Sequence, residues 1–393
     1  MSRKIRNTWH GYRRPDGQVG ARNFLLMLSG TLYANCVCDR ISDWVVNTMA
    51  VTHPLGRCQV MPDLRLTFKT LVGMGRNPNC GAVIVVDHHK ETGCTAEEIA
   101  HAIAATGKPV EAINIRQAGG AVEATARAMR VALEMHRQIS AQAREEVPVS
   151  ELVLGLNCGT SDTTSGISSN KAVGFCSDLV IDQGGRSILA ETTEMMGGEA
   201  VLVARAANPR VAQRIWEITR RMEARALESG EDIRGSQPTG DNIFGGLSTI
   251  EEKSLGAIQK SGSKTILDVV DFADPIGRDA GLYIMDTPGH GGESITGIAA
   301  AGAQVLTFST GGGHTINHPV MVTIRLTGNR RSFELMRDTM EVDVSDIFEG
   351  VSIEEAGLRL YDEVLDTVSG KLTKCEILKE HNAFAIHRIG VSI

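Results

Sequence analysis

GLNCGTSDTTSGISSNKAVGFCSDLVIDQGGRSILAETTEMMGGE, residues 155–199, joins two apolar runs through a polar, glycine-rich segment and ends in carboxylates. It grows out of the apolar run Leu152-Val153-Leu154-Gly155-Leu156 and stops abruptly at Asn157-Cys158-Gly159. A dense polar segment follows, with Ser161, Asp162, the hydroxyls of Thr163, Thr164 and Ser165, and Asn170. A second apolar run, 186–190, then delivers Glu191, Glu194 and Glu199. Strand, Gly-rich polar loop, helix, strand and carboxylates follow in the order expected where an α/β sheet presents a site at its strand ends. The same residues also suit a helix cap and solvated turns. Cys, Asp, Asn and carboxylates gathered at two successive strand ends favour a site.

Working outward, 11–23 reads as a turn-rich leader with a strong turn at Pro15-Asp16-Gly17. Apolar runs predict strands at 24–29, 51–54, 82–86 and 110–115, and helical spacing predicts helices at 64–73, 95–106 and 121–143. Glu145-Glu146-Val147-Pro148 is the best linker candidate, dividing the chain into 1–147 and 148–393. Beyond it come helices over 211–227, 250–260 and 353–369, with 230–246 as loop. Strands are predicted at 265–270, 282–285, 305–308 and 321–326. The alternation implies two α/β domains with mainly parallel sheets flanked by helices. A site is expected at the C-terminal ends of the strands, between the domains.

The composition is that of an ordinary globular protein: 393 residues, 42% hydrophobic and 22% charged. A net charge of -7 leaves no electrostatic footprint for nucleic acid or an anionic membrane. The eight cysteines are scattered, so a disulfide framework is not expected. The basic N-terminus has no apolar core, and no apolar run approaches the roughly 18 residues of a membrane span. A soluble cytoplasmic protein is expected.

Several segments could carry chemistry. Asp286 and His290 follow a strand, in a turn that Pro288 and Gly289 also explain. In STGGGHTINH (309–318), the glycines would let backbone N–H groups reach a carboxylate or phosphate. Neither a Walker loop nor a GxGxxG opening a helix occurs, which disfavours a nucleotide-dependent oxidoreductase. His88-His89 and the pair His314 and His318 invite a metal reading, although Pro319 and the glycines argue against a helix aligning the pair. Together with Cys158, Asp162, Glu191 and Glu194 they supply mixed ligands suited to Fe(II), Mn(II) or Zn(II). Lys253, beside Glu251 and Glu252 in a helix's first turn, is an acid/base candidate.

These motifs resemble the altronate and galactarate dehydratases, together with the beta subunit of sulfolactate sulfo-lyase. The matching stretches run nearly the whole chain. They are GYRRPDGQVGARN (11–23), NCGTSDTTSGISSNKAVGFCSD (157–178), ILAETTEMMGGE (188–199) and FGGLSTIEEKSLGAIQKSG (244–262). GLYIMDTPG (281–289), TGGG (310–313), HPVMVTIRLTGN (318–329) and SGKLTKCE (369–376) complete them. HPLGRCQVMPDLRLTFKTLVGMGRNPNCGAVIVV (53–86) looks more like the sulfo-lyase branch. Sugar-acid members tend to carry a GCE-type strand end where this chain has Asp87-His88-His89, and often Arg where it has Gly312.

The resemblance implies a large subunit that works with a separate small SAF-domain subunit in a homo- or hetero-oligomer. It implies Fe(II)- or Mn(II)-assisted β-elimination on a small hydroxy or sugar acid, giving a 2-keto acid. Such chemistry needs an ion to stabilise charge on the substrate oxygens, a base for the C2 proton and an acid for the leaving group. Cys158, Asp162, Glu191 and Glu194 are the candidates for metal or proton chemistry, with Lys253 or His290 as acid/base. Ser161, Asn170, Thr310, Gly311, Gly313 and His314 are the candidates for substrate contacts. Dehydration is the leading reading. The alternatives are release of sulfite from sulfolactate and a non-catalytic binding subunit.

Overall fold

The computed structural model describes residues 5–89 and 93–393; the first four residues of the basic leader lie outside these. The leader is a hairpin: β1 (Thr8–Arg13) turns at Pro15-Asp16-Gly17 and returns as β2 (Val19–Gly20). Gly17 takes φ +88, a left-handed conformation that costs glycine little.

β3 (Phe24–Ser29), β4 (Thr48–Val51), β5 (Cys80–Asp87) and β6 (Val110–Asn114) form a parallel sheet in the order β4-β3-β5-β6. Every residue of β3 and β5 is buried, as continuous apolar runs in a sheet covered on both faces should be. Helices Asn35–Trp44, Met61–Arg76, Ala96–Ala104 and Ala121–Ser140 supply the cover. Thr95 starts the third of these through a capping box with Glu98.

Glu145–Pro148, the linker candidate, is itself a strand, β7, which pairs antiparallel with β1 and places Pro148 opposite Thr8. An edge strand tolerates proline because one side of its ladder is unused. Residues 230–246 are not simply loop either. They contain helices Ile233–Ser236 and Gly240–Phe244, started by Asp232 and by a Thr239–Asn242 capping box.

β8 (Val153–Gly159), β9 (Arg186–Leu189), β10 (Ile266–Val270), β11 (Gly281–Met285), β12 (Val305–Thr310), β13 (Val322–Thr327) and β14 (Val342–Asp343) build a larger sheet. All its pairs are parallel and its order is β10-β11-β9-β8-β12-β13-β14. The chain leaves β8 toward β9 on one side, while β12 and β13 lie on the other. A parallel sheet opens a crevice beyond its carboxyl ends where the order reverses in this way. The register sets Cys158 beside Ser309 and Gly159 beside Thr310 at that lip.

Leu26, Leu28, Val83 and Val85 of the small sheet share a core with Val153, Ile188, Leu306 and Phe308 of the large one. Helices Met61–Arg76 and Gly291–Ala300 pack against each other within it. Trp9, Val19 and Val147 join the core that includes Leu154, Leu156 and Ile324. Among the described residues no helix is long and apolar enough to cross a membrane.

His53 closes the end of β3. Its Nε2 lies 2.7 Å from the Ser29 carbonyl oxygen, and its Nδ1 accepts from the Leu55 N–H at 3.1 Å. Nδ1 is thus an acceptor and the ring is neutral; burial holds its pKa at about 4, below the ordinary 6.5. The unfolded chain therefore binds the extra proton first. The stability His53 contributes is complete above pH 6.5 and is lost as pH falls toward 4, by about 3 kcal/mol. In urea titrations, His53→Gln should flatten the decline of stability between these pH values. An unchanged decline would contradict this assignment.

Candidate metal centre and active-site cleft

Cys158 follows Asn157 near the carboxyl end of β8 and is buried. After β9 the chain enters a 3-10 turn, Thr192–Met195, through Glu191. Glu191 takes φ +67, a left-handed conformation that costs a side-chain-bearing residue on the order of 1–2 kcal/mol. Two bonds hold it there: the Glu191 N–H donates to Thr287 Oγ1 at 2.8 Å, and the Thr192 N–H to the Thr287 carbonyl at 3.0 Å. Thr192 Oγ1 also donates to Asp286 at 2.6 Å, and Asp286 pairs with Arg221. Strand end, strained residue and turn thereby bring Cys158, Glu191 and Glu194 together, with one donor atom from each lying within 4.8 Å of the others.

Lys260, and not the acid/base candidate Lys253, completes the group. Its Nζ donates to Glu194 Oε2 at 2.6 Å and to Cys158 Sγ at 3.2 Å, and stands 3.9 Å from Glu191 Oε2. Cys158 Sγ donates to Glu194 Oε2 at 3.1 Å. Exposure is 1% for Lys260, 2% for Cys158 and Glu191, and 6% for Glu194. Burial and then Glu194 raise the Cys158 thiol above its ordinary value. The same two causes push Glu191 well above the carboxylate range. Burial would raise Glu194 too, but Lys260 and Lys253 together with hydrogen bonds from Glu191 and Lys260 outweigh it and hold the carboxylate below its ordinary value. For Lys260, burial alone would lower the pKa, and Cys158 and Glu194 reverse the direction.

The residues fit a divalent ion. One sulfur and two carboxylates mix soft and hard donors as Fe(II) and its neighbours accept them. Glu191 Oε2 is buried without a hydrogen-bond partner, a state that costs on the order of 1–3 kcal/mol unless something binds it. With all three donors ionised, a 2+ ion would neutralise all but one of the buried negative charges.

Next to the triad lies a cleft of about 320 Å³ lined by Ser161, Asp162, Asn170 and Lys253 among others. Ser161 Oγ is 3.9 Å from Cys158 Sγ and links the two. Every lining residue falls between 161 and 259, so this cleft belongs to the second half of the chain and not to the space between the halves. Helix Ile250–Ala257, started by Thr249, folds over it and supplies Lys253, whose Nζ donates to Gln237 at 2.8 Å. Asn170 donates to the Gly256 carbonyl at 3.0 Å, and its Oδ1 has no partner. Asp162 accepts from the Ser165 N–H at 2.8 Å, from Thr164 Oγ1 at 2.7 Å and from Asn329 at 3.1 Å. Its carboxylate is thereby occupied as a helix cap.

Thr310, Gly311, Gly313 and His314 do not line this cleft. Expected to face a ligand oxygen, the glycine N–H groups are engaged within the protein. Those of Gly311 and Gly312 donate to the Thr160 carbonyl at 3.1 and 3.0 Å, and that of Gly313 to Thr310 Oγ1 at 3.1 Å. The segment instead backs Asp162, which a Cβ on Gly311 would strike. His314 Nδ1 accepts from the Ile316 N–H at 2.9 Å, and its ring packs edge-on against Phe308. His290 starts helix Gly291–Ala300, 71% exposed and outside the cleft. His318 is buried, its Nδ1 accepting from the N–H groups of Val320 and Met321.

Comparison with known proteins agrees over nearly the whole chain. The D-galactarate/altronate dehydratase C-terminal family model matches residues 149–392. The D-galactarate dehydratase/altronate hydrolase second-domain model matches 11–140. The chain is 39% identical to the (2R)-sulfolactate sulfo-lyase subunit beta of Chromohalobacter salexigens, across 97% of both chains. That relative's name implies a partner subunit. It is 29% identical to the altronate dehydratase of Bacillus subtilis, over 98% of this chain and 78% of the relative. It is also 29% identical to the galactarate dehydratase (L-threo-forming) of Escherichia coli, over 93% of this chain and 73% of the relative. These relatives are lyases, and the chain described here belongs to the D-galactarate/altronate dehydratase family.

Proposed function

We propose that this protein eliminates water from a small 2-hydroxy or sugar acid and yields a 2-keto acid, using Fe(II) or Mn(II) held by Cys158, Glu191 and Glu194. The buried triad beside the Ser161–Asn170–Lys253 cleft carries the reading. When bound, the ion supplies Lewis-acid stabilisation of negative charge on the substrate oxygens. Asn170 Oδ1 and Ser161 orient the substrate hydroxyls, and the ammonium groups of Lys171 and Lys253, both lining the cleft, favour a carboxylate. A base takes the C2 proton, the C3–O bond breaks, and a second group protonates the departing hydroxide. Lys253, which lines the cleft, is the candidate for one of these transfers. The enol then tautomerises to the 2-keto acid.

A second reading, with sulfite as the leaving group, is favoured by the 39% identity to the sulfo-lyase subunit against 29% to the sugar-acid enzymes. In either case a small SAF-domain subunit completes the enzyme, in a cytoplasmic hetero-oligomer; the relative's designation as a beta subunit supports the partner subunit alone. The test is a panel of sugar acids, tartrate-like acids and sulfolactate, assayed with and without Fe(II) and a co-expressed small subunit. Fe(II)-dependent 2-keto acid without sulfite supports dehydration, and sulfite supports the second reading. Binding without turnover of any acid would make the chain a non-catalytic subunit and overturn the proposal.

A further inference from the structure

Lys260 stands where an ion would have to stand. Its Nζ lies 2.6 Å from Glu194 Oε2, 3.2 Å from Cys158 Sγ and 3.9 Å from Glu191 Oε2. An ion bonded to the same donors needs them at about 2.0–2.3 Å, in the space the ammonium fills. Packing does not call for a lysine here, since a buried ammonium costs several kcal/mol of desolvation unless its charge is neutralised. We propose that Lys260 is a resident counter-cation: it holds the donors together in the ion-free protein and swings aside when a divalent ion enters. The proposal rests on the metal reading above and deepens it by assigning a competitor for the ion built into the chain.

Three observations carry it. The ammonium bonds two of the three donor residues and leaves Glu191 Oε2 buried and unsatisfied, so the triad is only partly neutralised by lysine. The backbone under Lys260 is fixed, because its 3-10 turn, Ile258–Ser261, packs against helix Ser169–Asp182. Exchange is then a movement of the four-carbon stem alone. Finally, Ala257 and Gln259, flanking the start of that turn, line the cleft, which gives the displaced ammonium somewhere to go. There it joins Lys253 beside a bound acid, so ion loading and delivery of a second cation to the cleft become one event.

The test is Mn(II) binding to the full chain, followed by titration calorimetry and by melting temperature, in wild type, Lys260→Met and the double variant Lys260→Met/Glu194→Gln. Removing the competitor should tighten Mn(II) binding by on the order of tenfold or more. Ion-free Lys260→Met should melt below wild type and gain more from Mn(II). The double variant, which removes both members of the ion pair, should regain ion-free stability and bind Mn(II) more weakly than Lys260→Met. Should Lys260→Met be insoluble without ions, Mn(II)-supplemented expression is expected to recover it, and insolubility in both conditions overturns the proposal. Equal or weaker Mn(II) binding by Lys260→Met, with wild type binding normally, overturns the proposal and leaves the metal reading standing. No Mn(II) binding by wild type or variants overturns both.

Discussion

Cys158→Ser should strip the divalent ion and lower kcat/KM about 10³-fold while leaving the protein folded. Cys158 supplies the soft donor of the triad, and serine's neutral hydroxyl is a poor substitute for a thiolate. Losing the ion forfeits several kcal/mol of charge stabilisation on the reacting oxygens, and each 1.36 kcal/mol is about a factor of ten in rate. The fold should survive because serine is slightly smaller and can still donate to Glu194, as the thiol does at 3.1 Å. Glu194→Gln should behave differently. It leaves Lys260 buried without its carboxylate partner, a change that typically costs about 3–5 kcal/mol. Metal analysis, turnover and urea denaturation of both variants check this pair. A Cys158→Ser protein with full ion content and full activity would contradict it.

Gly174→Ala should damage stability and activity together, though residue 174 touches neither cleft nor triad. A Cβ there would lie 2.2 Å from the Gln259 carbonyl oxygen and 2.9 Å from the Gly262 nitrogen. Both obstacles are backbone, so the turn bearing Lys260 must move away from helix Ser169–Asp182. Overpacking of this kind costs about 1–3 kcal/mol. The Lys260 contacts at 2.6 and 3.2 Å do not survive an ångström of displacement, and misplacement of that size costs about 10²-fold in rate. Gly235→Ala is the control: nothing lies within 4 Å of its Cβ, and its stability should stay within about 0.5 kcal/mol of wild type. The expected result is a loss confined to Gly174→Ala, read by urea denaturation and turnover. Equal behaviour of the two variants would contradict the packing argument.

The parts of this protein that show in the sequence are those set by local pattern. β3, β5 and β8 are apolar runs of strand length, and the sequence alone marks Cys158, Glu191 and Glu194 as strand-end residues. What stays hidden depends on distant partners. Glu145–Pro148 resembles a linker because nothing local reveals its ladder with residues 8–11, more than 130 positions earlier. The glycines at 311–313 suit an anion loop until β8 arrives beside β12 and Thr160 takes two of their N–H groups. Lys260 is the most instructive case. Seven residues after Lys253, it belongs on the same face of a regular helix and looks like one more solvated charge. The helix gives way to a 3-10 turn at Ile258, and Lys260 points into the buried triad while Lys253 reaches the cleft. Gly262, which takes φ +62 just past that turn, is the local trace of it.

The ion stoichiometry of wild type beside Glu191→Gln tests the metal centre most directly. Glu191 is held in a left-handed conformation with Oε2 buried and without a hydrogen bond, and its amide analogue keeps the shape while removing the charge. Equilibrium dialysis against Mn(II) is expected to give about one ion per wild-type chain and almost none per Glu191→Gln chain, with 2-keto acid formation lost in parallel. The same ion content in both proteins, or none in wild type, would contradict the account.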